Sequence, residues 1–179
     1  DDAEDHATMR ELVRGADVFS QGYRPGVLDR RGLGAEELAE MRPGIIHTTL
    51  SCFGQEGPLS GRAGWEQVAQ CMVGICAENG QERPALLPVP ACDYLTGYLG
   101  AYGTLLALAR RAREGGSYRV NVSLCQSGMF LHRQPRVDVG ASDLDISAEE
   151  GARLQMSSNS DYGALRHLAP VLKLSLIHI

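Results

Sequence analysis

Residues 94–109 read YLTGYLGAYGTLLALA, and no charged side chain stands between Asp93 and Arg110. A bilayer span needs roughly 20 apolar residues. This run is shorter, and it carries three tyrosines and three glycines, so it predicts a helix buried in a protein core. Tyr94, Tyr98 and Tyr102 recur at i, i+4 and i+8, one stripe for which core packing is expected, with Tyr94 also placed to border a pocket. Gly97, Gly100, Ala101 and Gly103 make another face small, which suits the close approach of a neighbouring backbone. The helix is expected to start near Asp93, after the proline-spaced loop that ends in LLPVPAC. Two readings of Asp93 follow. Aspartate is a favoured N-cap, and a helix start is also a way to present a carboxylate.

A long apolar helix needs partners to cover it, and the flanking chain supplies them. Residues 4–15 form an amphipathic pattern, with Met9, Leu12 and Val13 on one side. ADVFSQGY (16–23) reads as a short buried strand, broken by Arg24-Pro25-Gly26. GAEELAEM forms a short helix stopped by Pro43-Gly44, and IIHTTLSCFG is a β-branched strand. A glycine-rich loop leads to an apolar helix from Trp65 to Ile75, then a loop over 77–92 reaches the long helix. SYRVNVSL alternates Tyr118, Val120, Val122 and Leu124 against polar neighbours, the strand period. Strands alternating with helices predict an α/β fold, a Rossmann-like parallel sheet with flanking helices. In such sheets ligands gather beyond the carboxyl ends of the strands. The loops at 20–34, 53–64 and 86–93 are therefore where chemistry is expected.

From Gln134 the composition turns polar and acidic, as a linker does, and SDYGALRHLAPVLK beyond it begins another element. The expected division is a partial large domain over 1–133 and a linker with the start of a small domain over 134–173. Both ends read as cut. The closing LSLIHI is encodable by CTG TCT CTT ATA CAC ATC, the end of a transposon adapter used in sequencing libraries. We therefore expect residues 174–179 to be read-through. A native reading frame through those codons in the genome would refute this.

Net charge of -5 with no offsetting basic face argues against nucleic-acid binding. The local clusters RPGVLDRRG and RRAR still suit an anionic small ligand. Five cysteines, with no C-x-x-C, read as reduced cytoplasmic thiols, and nothing groups four convergent ligands for zinc. Arg110, Arg111 and Arg113 are expected to complement the C-terminal end of the long helix. His47 in a strand and His132 after one have no evident partners and read as structural or surface residues.

Three segments together resemble the family III CoA-transferases, which include formyl-CoA transferase, carnitine CoA-transferases and α-methylacyl-CoA racemase. They are ADVFSQGYRPGVLDRRGLGAEEL (16–38), PGIIHTTLSCFGQEGP (43–58) and CDYLTGYLGAYGTLLALARRAREGGSYRVNVSL (92–124). The patterns R-P-G…L-x-R-x-G-L-G and D-x-x-T-G-x-x-x-A-x-G, in this order, carry it. The resemblance covers residues 5–130 of a family whose members are more than twice as long. It implies that an N-terminal portion with several CoA contacts, most of the small domain and a C-terminal return lie outside this chain. It also implies an interlocked homodimer for the full-length protein, and neither nucleic-acid nor membrane partners. The isolated chain is then expected to be unstable or inactive.

The resemblance assigns roles by position. The aspartate at Asp93 is the family nucleophile, attacking an acyl-CoA to form an anhydride and then an aspartyl-CoA thioester. Helix N–H groups and the dipole should keep it ionised and stabilise an oxyanion. Trp65 stands where the racemases carry a histidine base, which disfavours the alternative of acyl-CoA racemisation. A non-catalytic CoA-binding fragment is the other alternative. Glu66 is implied to position the catalytic carboxylate, and reads equally as an exposed first-turn acid. Coenzyme A is the implied substrate, with no metal. Arg24, Arg30 and Arg31 are implied to pair with its phosphates, with Gly22 and Tyr23 as a wall. Arg24 and Arg31 also read as ordinary loop charges, whereas Arg30 matches the L-x-R motif. Ala63 falls where some transferases have a CoA-contacting lysine.

Overall fold

The computed structural model describes residues 2–80, 82–137 and 146–170. The chain divides into two compact units at Gln134–Pro135. In the first unit, strands β1 (Val18–Gln21), β2 (Ile46–Ser51) and β3 (Tyr118–Ser123) form a parallel sheet in the order β1-β2-β3. Val18 pairs with Ile46, and Ile46 with Tyr118. The central strand β2 buries Ile46, His47, Thr48 and Thr49 in succession, as a strand covered on both faces must. β3 keeps the alternation its sequence shows, with Tyr118, Val120 and Val122 half-buried between exposed Arg119 and Asn121.

Helices α1 (Ala3–Arg14) and α2 (Ala35–Met41) precede β2; α3 (Glu66–Met72), α4 (Ile75–Asn79) and α5 (Ala91–Glu114) lie between β2 and β3. Of the apolar side of α1, only Val13 is buried, joining Leu33, Leu38 and Ile45; Met9 and Leu12 are exposed. A second core gathers Cys52, Ala69, Val73, Ile75 and Cys92 where α3, α4 and α5 meet the end of β2. The single helix expected over Trp65–Ile75 is two helices. Gly74, at φ +88°, turns the chain between α3 and α4, a conformation open chiefly to glycine.

Helix α5 runs antiparallel to the strands. Gly100 lies against Val122, Leu50 and Thr48, while Gly103, one turn on, lies against Val120. A β-carbon at Gly103 would stand 2.7 Å from Val120 Cγ1, so the close approach needs glycine there. Thr48 donates to Thr104, which donates to Gly100 O, fixing helix to sheet at 2.7 and 2.8 Å. At the far end, Arg111 donates to Gly44 O at 2.9 Å and pairs with Asp17 at 3.0 Å, both just ahead of strands. The N-terminus of α5 is therefore at the carboxyl edge of the sheet.

The helix is half-buried rather than wholly core. Its inner face buries Cys92, Thr96, Gly100 and Ala107. The tyrosine stripe expected inside points out, with Tyr94, Tyr98 and Tyr102 exposed at 62%, 68% and 60%. The small residues win the sheet face because they let the backbone approach, leaving the bulky stripe opposite. Gly97 and Ala101 are exposed, and a β-carbon added at Gly97 would meet no neighbouring element within 4 Å. Of the three arginines, Arg110 pairs with Glu114 and Arg111 reaches the sheet instead of its own helix end.

Helix α6 (Leu124–His132) follows β3 directly, capped by Ser123, which accepts from the Gln126 N–H. The strand pattern does not announce it; the cap does. His132, read as unpartnered, lies 3.3 Å from Glu78. In the second unit, α7 (Ala148–Arg153) starts in a Ser147–Glu150 capping box, and β4 (Gln155–Ser160) pairs antiparallel with β5 (Gly163–Leu168). The read-through expected at 174–179 lies outside the described residues. No described helix is long and apolar enough to cross a membrane.

Candidate active site

Helix α5 begins at Ala91, with Pro90 at the cap position and no side-chain cap of its own. Asp93 is thus the third residue of the helix, and the N-cap reading is corrected. The cap comes from another helix. Glu66, first residue of α3 and only 3% exposed, accepts the Cys92 N–H on Oε1 at 3.1 Å and the Asp93 N–H on Oε2 at 2.6 Å. Gln70, one turn along α3, donates its amide to Glu66 Oε1 at 2.6 Å and to Val89 O, while its oxygen accepts the Leu87 N–H. Glu66 and Gln70 together fasten the proline-rich loop and the first turn of α5 to α3. The reading of Glu66 as an exposed acid fails for this reason: two N–H donors without partners draw the carboxylate inward.

Every N–H in the first turn of α5 is now spoken for. Ala91 donates to Val89 O at 2.8 Å and Tyr94 to Pro90 O at 3.1 Å, in addition to the two held by Glu66. The expected oxyanion donors are therefore occupied, and any oxyanion here needs donors from elsewhere. The carboxylate of Asp93 is the opposite case. It is exposed and, among the described residues, accepts no hydrogen bond. Its pKa is raised, first by partial burial and then by the negative charge of Glu66. The helix start therefore does not hold it below the ordinary range, contrary to expectation.

Neighbouring thiols do not compete as nucleophiles. Burial, followed by Glu66, pushes Cys92 up to about 12, and burial pushes Cys52 up to about 12. A protonated thiol is a poor nucleophile. Beside them, the Asp93 carboxylate is exposed. Trp65, extended just before α3 and 59% exposed, stands beside the Glu66 clamp in sequence.

The residues implied for CoA cluster at the carboxyl end of β1. Gly22, Tyr23 and Arg31 line an open cleft of about 960 Å³, with Phe19, Gln21 and Leu28. Arg24 and Arg30 are not among its lining residues. Arg24 O accepts the Val27 N–H in the turn that follows, and Arg30 lies over Gly26, its Nη1 3.0 Å from where a β-carbon would sit. Among the described residues no hydrogen bond or ion pair joins this cluster to Asp93. Sequence reasoning missed Gln70. Its signal was helical spacing, four residues after Glu66 in EQVAQ.

The comparisons with known proteins agree on one family. The family model described as CoA-transferase family III matches residues 1–164. The acetyl-coenzyme A transferase nodX of Hypoxylon pulicicidum is 33% identical over 96% of this chain and 30% of its own length. The succinyl-CoA:glutarate CoA-transferase of Mus musculus is 37% identical over 66% of this chain and 28% of its own. Among solved structures, a CAIB/BAIF family protein from Brucella suis superposes with a TM-score of 0.71 at 30% identity, covering 74% of this chain and 35% of that one. The chain thus spans about a third of the length of the proteins it matches. With the family model matched over residues 1–164, the chain belongs to CoA-transferase family III.

Proposed function

We propose that the complete protein moves CoA from an acyl-CoA to a carboxylic acid, with Asp93 as the covalent acceptor. The Asp93 carboxylate attacks the thioester carbonyl, the C–S bond breaks, and the CoA thiolate leaves an acyl-aspartyl anhydride. The thiolate then attacks the aspartyl carbonyl, releasing the donor acid and leaving an aspartyl-CoA thioester. An acceptor carboxylate repeats these steps in reverse order and regenerates Asp93. Each intermediate is activated enough for the next attack, so the barriers stay near balance.

The observation that carries this reading is the Glu66 clamp. It fixes the backbone of Asp93 at the carboxyl edge of the sheet while leaving the side chain without a hydrogen bond. The relatives named acetyl-coenzyme A transferase and succinyl-CoA:glutarate CoA-transferase support transfer as the activity. In this reading Glu66 is a positioning residue. Gly22, Tyr23 and Arg31, with Arg24 and Arg30 nearby in sequence, hold the CoA nucleotide, arginine forks suiting its phosphates. The working form is a homodimer of the full-length chain in the cytoplasm, and no metal takes part.

Incubating the complete gene product with an acyl-CoA and then hydroxylamine should leave a hydroxamate on Asp93, located by mass spectrometry. Asp93→Ala should lower exchange by more than about 10⁴-fold while CoA binding persists. CoA exchange with Asp93 unmodified throughout would sink the mechanism.

A further inference from the structure

The sulfur atoms of Cys71 and Cys76 stand 3.5 Å apart, and no step proposed above uses them. The backbone creates the approach. Helix α3 ends at Met72, Gly74 turns left-handed, and α4 brings Cys76 back to Cys71. The Gly74 N–H donates to Cys71 O at 3.3 Å, and the Ala77 and Glu78 N–H groups donate to Gly74 O at 3.1 Å, so the reversal is held from both sides. The two thiols are unlike. Cys71 is exposed and Cys76 is buried. Burial, and then the hydrogen bond with Cys71, holds the Cys76 thiol above its ordinary range. A small reagent in solution therefore meets Cys71 first, with Cys76 behind it to resolve whatever forms.

We infer that Cys71 and Cys76 form a reversible dithiol–disulfide site that reacts with low-molecular-weight disulfides. The Cys71 thiolate attacks one sulfur of the small disulfide, whose S–S bond breaks and releases one thiolate. Cys76 then gives up its proton and attacks the Cys71 sulfur of the mixed disulfide, expelling the second thiolate, which takes up that proton. Two protein thiols are oxidised and one small disulfide is reduced to two thiols. A disulfide spans about 2.05 Å, so the sulfurs must close a gap of about 1.5 Å, and exposed Cys71 has room to turn. The site adjoins Gln70, whose amide holds Glu66. It stands apart from the acyl chemistry, and its test reads thiols rather than turnover.

The complete gene product is treated with oxidised glutathione, unfolded in an alkylating reagent without reductant, and digested for mass spectrometry. Cys71 and Cys76 should vanish together from the alkylated pool, a peptide linking them should appear, and dithiothreitol should restore both. Cys76→Ser should instead accumulate glutathione on Cys71, and Cys71→Ser should leave Cys76 reduced. The inference is overturned if wild-type Cys71 retains glutathione while Cys76 stays alkylatable. It is equally overturned if both remain reduced under conditions that oxidise a free dithiol peptide.

Discussion

Glu66 binds Asp93 through the backbone and repels it through the side chain: its Oε2 accepts the Asp93 N–H at 2.6 Å, while its charge raises the Asp93 pKa. The same carboxylate thus fixes the position of its neighbour and makes that neighbour's ionised form more reactive toward a carbonyl. The two effects separate by substitution. Glu66→Gln keeps one acceptor oxygen and removes the charge, so Asp93 should titrate at lower pH, and the acid limb of the exchange rate should move the same way. Glu66→Ala strips the partners from two buried N–H groups and the Gln70 amide, and should cost about 2–4 kcal/mol of stability. A pH–rate profile beside a denaturant titration distinguishes them. An unmoved acid limb in Glu66→Gln would remove the electrostatic coupling.

Asp93 itself should weaken the fold at neutral pH. Its folded pKa lies above the unfolded 3.8, so the folded state binds the extra proton in the window just above that value. Stability is therefore lost as pH rises through the window and stays lost above it. Asp93→Asn should raise Tm at pH 7 and give no gain at about pH 3, where both states are protonated. Calorimetry at the two pH values reads the difference.

His47 works in the opposite direction. It is buried in β2 against Phe19, and neither ring nitrogen has a hydrogen-bond partner among the described residues. Burial, and then Arg119, lowers its pKa below 6.5. Stability is complete above 6.5 and is lost as pH falls from there toward the folded pKa, because only the unfolded chain takes the proton. His47→Leu should flatten that acid slope below pH 6.5, measured as urea midpoint against pH.

Two glycines of α5 should respond with opposite sign. Gly103→Ala drives a methyl to 2.7 Å from Val120 and should cost about 1–3 kcal/mol, less the helix gain. Gly97→Ala meets nothing within 4 Å in this chain and should stabilise it by up to about 1 kcal/mol. Thermal melts of the complete gene product compare them directly. Similar losses at both positions would contradict the packing described.

The parallel sheet was legible because strand and helix periods differ and parallel strands demand crossovers. The proposal of Asp93 as a nucleophile came from its motif alone. Its third place in the helix was not legible, because Pro90 looks like a loop residue and the cap is supplied from a helix more than twenty residues away. Glu66 was half-read: an acid opening a helix usually faces water, and only the folded chain shows the donors that pull it inside. The tyrosine stripe misled for a related reason. Aromatics and glycines shared one helix, and hydrophobicity favoured the tyrosines for the interior while sheet geometry selected the glycines.

Glu66 holds the first turn of α5 to α3, and Arg111 holds its other end to Gly44 and Asp17, just ahead of β2 and β1. The count of residues between the two ends is therefore a gauge length. Asp93 and Arg111 are separated by about 27 Å of helix at 1.5 Å per residue. One inserted residue would turn one anchorage by about 100° relative to the other. The reach and bearing of the Asp93 carboxylate are thus calibrated from the opposite edge of the sheet.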